Sequence, residues 1–144
     1  MRFEPNLGHA ADRMPRPASE LTRIMPETQI DFDHLNRYVA GDVALTREIF
    51  GLFTHQTEMW GRGLDADADD EVWSSVTHSL KGSARAVGAM DLAALCEGAE
   101  GLVGEKKRLG ARQVAVQNIE FAIEQVRAEI QRWEHAQSLK DLRA

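Results

Sequence analysis

All four prolines of this 144-residue chain, Pro5, Pro15, Pro17 and Pro26, precede residue 27, and none interrupts the remainder. Proline removes a backbone donor and clashes with the preceding turn, so its absence leaves the rest of the chain open to continuous helix. Apolar residues there recur at three- and four-residue steps, the spacing of one helical face. A short helix is expected over Phe32 to Val39, with Asp31 as its cap. Asp42 is expected to cap a long helix whose apolar stripe is Leu45, Ile49, Leu52, Phe53, Met59 and Trp60, with Gly61 and Gly63 ending it. The acidic stretch Asp65 to Glu71 leads into a third helix, with Val72, Val76, Leu80, Ser83 and Val87 facing inward. Gly88 breaks that run, and a tight turn returns the next helix, about Ala89 to Glu105, antiparallel. After Leu109-Gly110 a last helix carries Val116, Ile119, Ile123, Val126, Ile130 and Trp133, a bundle seam.

The expected fold is therefore all-α, an antiparallel up-down four-helix bundle over residues 29–137 with a short extra N-terminal helix. Residues 1–28 mix proline, glycine and scattered charge without a sustained period and are expected to form a flexible tail. Residues 138–144 are expected to form a short C-terminal tail. One domain is all this length holds, and 43% hydrophobic residues suffice for one core. A net charge of -6 argues against nucleic acid and against anionic membrane surfaces as partners. With no apolar run near the roughly 18 residues a bilayer requires and no signal-peptide pattern, the expectation is a cytoplasmic monomer. The single cysteine, Cys96, sits among Leu92, Leu95 and Ala99 and reads as a small buried apolar residue.

The stretch richest in chemistry is His78-Ser79-Leu80-Lys81-Gly82-Ser83. Residues three and four apart share a helical face, so His78, Lys81 and Gly82 lie together, with Arg85 a turn further along. Glycine inside a helix costs about 1 kcal/mol relative to alanine, and at Gly82 the return for that cost is room for another molecule to approach His78. Other features carry less. Asp65 to Glu71 alternates acids as a calcium loop does, but Asp70 stands where glycine is needed and Val76 where a bidentate Glu belongs. These acids suit a helix N-terminus instead. His9, His34, His55 and His135 show no metal-ligand spacing. Gly98, Gly101 and Gly104 either permit close helix approach or soften a helix end.

From Ile30 to about Val103 the chain resembles the histidine-containing phosphotransfer family, the small helical modules that shuttle phosphoryl groups in bacterial multistep phosphorelays. The likeness rests on Ile30-Asp31-Phe32-Asp33-His34-Leu35 with Gly41-Asp42, and on Glu48-Ile49-Phe50-Gly51-Leu52-Phe53. Most of all it rests on Thr77 to Ala84 continuing through Val87-Gly88-Ala89, Leu92, Leu95-Cys96 and Glu100. The proline-rich start and the Gly98, Gly101, Gly104 series are not features of that family. The resemblance implies that His78 is the phosphorylated nucleophile, Lys81 a cation stabilising the phosphoryl group and Gly82 the point of partner access. Ser79, Ser83 and Arg85 would border the partner. Glu100 matches the position where a Gln or Glu holds the non-reacting ring nitrogen, although it could equally be an ordinary boundary carboxylate.

A neutral imidazole is a competent nucleophile near neutral pH and can take a phosphoryl group from an aspartyl phosphate without a general base. The chain has no glycine-rich phosphate loop and no Walker lysine, so it is expected to carry phosphate without autonomous kinase activity. It binds no cofactor of its own on this reading. The resemblance implies that Mg²⁺ and the acceptor aspartate belong to a partner receiver domain, and that the partners are response regulator receiver domains and a hybrid or sensor histidine kinase. Two other classes compete. A di-iron or metal carrier needs inward Glu-x-x-His pairs, which are absent. A non-catalytic helical adaptor or dimerisation module would use the apolar seam of the last helix.

Overall fold

The computed structural model describes residues 28–143, so the expected N-terminal tail lies, apart from Thr28, outside the described residues. All regular structure among them is helical: α1 (Phe32–Val39), α2 (Val43–Gly61), α3 (Asp70–Val87), α4 (Met90–Glu100), a 3-10 turn at Gly104–Lys106, and α5 (Leu109–Arg143). The starts of the first three are set by side chains. Asp31, Asp42 and Asp69 each accept a hydrogen bond from the amide three residues on, at 3.0 Å, satisfying donors that a helix start leaves free. Each long helix packs on the next in sequence and α5 closes against α2, which makes the four-helix bundle; α1 lies across α2.

The stripes differ from expectation in register. On α2 the buried side chains are Thr46, Phe50, Phe53 and Thr57, whereas Leu45, Leu52 and Met59 are exposed. Both threonines turn their hydroxyls onto the carbonyl four residues back, which makes them tolerable inside. On α3, Trp73 and Thr77 are fully buried and Val72 is 46% exposed. The helix turns its larger side chain inward, and the Trp73 indole N–H donates to the Ala99 carbonyl at 2.7 Å. The α5 seam matches: Ile119, Ile123, Val126 and Ile130 are buried, with Val116 and Trp133 packed at the core edge.

Two ends also differ. The fourth helix stops at Glu100 rather than running to Glu105, because Gly101 caps it and the chain then turns through Gly104 at φ +61°. At the other end, the residues expected to form a C-terminal tail continue α5 as helix to Arg143, with Leu139 and Leu142 exposed. The tight α3–α4 turn is as expected. Gly88 sits at φ +82°, and a Cβ there would lie 2.8 Å from the Asp31 carbonyl oxygen.

Candidate functional site

His78 stands on the outer face of α3 with 69% of its side chain exposed, one turn before Gly82. The stripe beneath it, Trp73, Val76, Thr77, Leu80, Ala84 and Val87, anchors α3 in the core and fixes which way the ring points. A Cβ at Gly82 would meet nothing within 4 Å. The glycine therefore does not serve packing within this chain, and the surface beside His78 is open.

The neighbouring helix supplies the ring's partner. His78 Nδ1 lies 3.1 Å from Glu100 Oε2, and Lys81 Nζ donates to Glu100 Oε1 at 2.7 Å. The hydrogen bond from Lys81 holds the Glu100 carboxyl below the ordinary range; burial opposes this, and the hydrogen bond from His78 reinforces it. A carboxylate has only acceptors, so the ring must donate from Nδ1. In the neutral ring with this tautomer, Nε2 carries the lone pair and faces away from Glu100, where it can act as a nucleophile.

The structure thus joins three of the expected site residues, His78, Lys81 and Glu100, in one hydrogen-bonded group. Lys81 is not a free surface cation: its side chain is only 13% exposed and folds back onto Glu100. Ser79 is half-buried, and its carbonyl accepts from Ser83 Oγ at 3.1 Å. Ser83 is buried, as its place on the inward stripe implies and against the expectation that it borders a partner, with its hydroxyl also 2.8 Å from Gln56 Oε1. It faces α2 because it continues the inward stripe. Arg85 is exposed and pairs with Glu97 at 3.1 Å. Cys96 is buried, and burial pushes its thiol up to about 12, with Glu100 adding to the rise and Lys81 opposing it.

Sequence reasoning missed Arg112, Trp73 and Glu129. Arg112 is fully buried at the start of α5 and holds the base of α3: it donates to Leu102, Ala66 and Ala68 carbonyls and to Asp70 Oδ1 at 2.8 Å. Its guanidinium lies 4.6 Å from the Trp73 ring centre. No spacing rule marks an arginine for burial; only the loops that meet there do. Among the described residues no group of three or more His, Cys, Asp or Glu is arranged to hold a metal ion. Nor is any helix among them long and apolar enough to cross a membrane.

The chain is similar to known proteins in sequence and in fold. The family model described as the Hpt domain matches residues 48–136, which include His78, Lys81, Gly82 and Glu100. The solved structure of the histidine phosphotransferase ShpA from Caulobacter crescentus is 31% identical, with 79% of this chain and 98% of that chain covered and a TM-score of 0.62. No curated protein matches the chain.

Proposed function

Because the chain belongs to the Hpt domain family and has a histidine-phosphotransfer role in a phosphorelay, we propose that His78 is the residue that carries the phosphoryl group. Domains of this family work with receiver domains and kinases; here a receiver-domain aspartate is the donor and a response regulator receiver domain the acceptor. The observation that supports this most is the pairing of an exposed ring with a Glu100 carboxylate on its Nδ1 side.

In the transfer, His78 Nε2 attacks phosphorus, the Nε2–P bond forms, and the aspartyl O–P bond breaks to release the carboxylate. Because Glu100 holds the proton on Nδ1, the ring keeps that proton throughout and needs no base. The positive charge that develops on the ring falls beside the Glu100 carboxylate. Phosphoryl transfer passes through a loose transition state stabilised by position and by cations. Lys81, three residues from His78 on the same helix, supplies one by sharing its ammonium between Glu100 and the incoming oxygens. Mg²⁺ bound by the receiver would add positive charge at the same oxygens. Gly82 leaves the receiver surface room to close on the ring. The same reading puts the chain in the cytoplasm.

The test is chemical and positional. After incubation with a receiver domain phosphorylated on its aspartate, the chain should hold one phosphate that is acid-labile and base-stable, localised by mass spectrometry to the peptide bearing His78. Phosphate on another residue, or none with any receiver domain that loses its own label, would reject the assignment.

A further inference from the structure

The helix end that delivers Glu100 to His78 is intrinsically weak. Glu100 is the last residue of α4, an 11-residue helix with no side-chain cap at its start. Gly98 lies in its final turn and Gly101 directly after it. Glycine inside a helix costs about 1 kcal/mol relative to alanine, and a Cβ at Gly98 would meet nothing within 4 Å, so close packing does not offset that cost. These glycines soften the end of α4.

Two buried side chains from other helices hold it. Trp73, on α3, donates its indole N–H to the Ala99 carbonyl at 2.7 Å, one residue before Glu100. Arg112, on α5, donates from Nε to the Leu102 carbonyl at 2.9 Å, two residues after it. The remaining nitrogens of the guanidinium go to Ala66, Ala68 and Asp70, which leaves its centre 4.6 Å from the Trp73 ring centre and braces the indole. Asp70 closes the set by accepting from the Gly104 amide at 2.8 Å. A guanidinium removed from water is expensive even when paired, and an apolar side chain of similar volume would suit the stability of a bundle as well or better. An apolar side chain could not hold a carbonyl just beyond the end of α4. Hydrogen bonds weaken steeply away from their best geometry, and a displacement of about 1 Å is enough to cost a site its alignment. The backbone on both sides of Glu100 is fixed, and with it the root of the side chain that lies 3.1 Å from His78 Nδ1.

On the reading that His78 is the nucleophile, we infer that Trp73 and Arg112 are positioning residues for it: by clamping the end of α4 they hold Glu100 on Nδ1 and so keep the ring proton off Nε2. Both are fully buried, so neither meets a partner. Their effect passes through the Ala99 and Leu102 carbonyls to Glu100, and from Glu100 to the imidazole.

The test uses the whole chain and separates positioning from stability. Trp73→Phe keeps an aromatic ring against Arg112 and removes the N–H that Ala99 receives. Nitrogen-15 spectra of the imidazole, taken where the ring is neutral, should place the wild-type proton on Nδ1 and show in Trp73→Phe a mixture with the proton on Nε2. Phosphoramidate is a donor that needs no docking surface: its P–N bond breaks as the Nε2–P bond forms, and ammonia leaves. Labelling of His78 by it should slow about fivefold in Trp73→Phe, the factor that one hydrogen bond of ordinary net strength makes in a population. In a Glu100→Ala background the same change should still lower the melting temperature but leave labelling within about 1.5-fold, because its route to the ring is gone. Arg112→Lys, which has no donor at the Nε position, should shift the tautomer in the same direction and serves if Trp73→Phe does not fold. A tautomer unchanged in the folded variant, or a slowing that persists undiminished in the Glu100→Ala background, would overturn the inference. Phosphoramidate label on a residue other than His78 in the wild type would instead overturn the assignment of the nucleophile, and the nitrogen spectra would still decide the clamp.

Discussion

Glu100 receives a hydrogen bond from His78 and another from Lys81, and it is the residue on which the state of both depends. Its carboxyl is held below the usual value of 4.5, first by Lys81 and, against the effect of burial, by His78 as well. A carboxyl lowered in the folded state contributes stability that is complete above its unfolded value and is lost as the pH falls through the folded one. Glu100→Gln should therefore melt below wild type at neutral pH, and the gap should close as the pH falls from about 5 toward 3. Melting curves across that range check it; a gap that stays constant would show that the charge of Glu100 is irrelevant to the fold. Gly82 makes the opposite demand. With open space at its Cβ position, Gly82→Gln should hold or raise stability, by up to about 0.8 kcal/mol, while receiver-to-chain transfer slows. A variant less stable yet normally active per folded molecule would assign the glycine to packing. The His78, Lys81 and Gly82 grouping was legible in the sequence because three- and four-residue spacing alone sets it. Spacing could not reach the Glu100 contact, since it joins two helices across 22 residues and depends on how each is rotated; only the family resemblance pointed to it, with an ordinary boundary carboxylate as the equal alternative.

Among the elements, α3 shows how far periodicity reaches. Val76, Leu80 and Val87 are inward by their spacing and are buried, but Val72 and Trp73 both suit the stripe, and the packing of α4 and α5 decides between them. The Ala99 carbonyl receives the indole and Arg112 lies against its ring, so Trp73 goes inside. The helix limits were legible where a capping aspartate or a left-handed glycine marks them, as at Asp31, Asp42 and Gly88. The end of α4 was not, because Gly98, Gly101 and Gly104 offer three stopping points and the turn beyond it is chosen by Asp70, which accepts from the Gly104 amide at 2.8 Å. Gly88 tests the α3–α4 turn. Gly88→Ala places a side chain at positive φ, which costs about 1–2 kcal/mol, and brings a methyl against the Asp31 carbonyl. The loss of stability in denaturant should exceed that conformational cost alone, and a loss below about 1 kcal/mol would mean that α1 yields easily.

Over the whole molecule, the bundle presents its chemistry on a single outer face while the opposite helices hold that face in place. α2 and α4 flank the helix that bears His78; Arg112 and Glu129, both on α5, secure the base of α3 and the approach to α1. The order of helices and their antiparallel closure could be read from apolar spacing and short links. Burial of a charged residue at two places on α5 could not, because each depends on backbone groups brought together from distant segments. With the labour divided in this way, the fold should not need the imidazole, and transfer should. The most direct measurement follows a labelled phosphoryl group from a phosphorylated receiver domain onto the chain, for wild type and for His78→Gln, with a melting curve on each sample. The account predicts equal melting and helicity, rapid labelling of wild type and none of His78→Gln. Labelling that persists in the folded His78→Gln protein would contradict it.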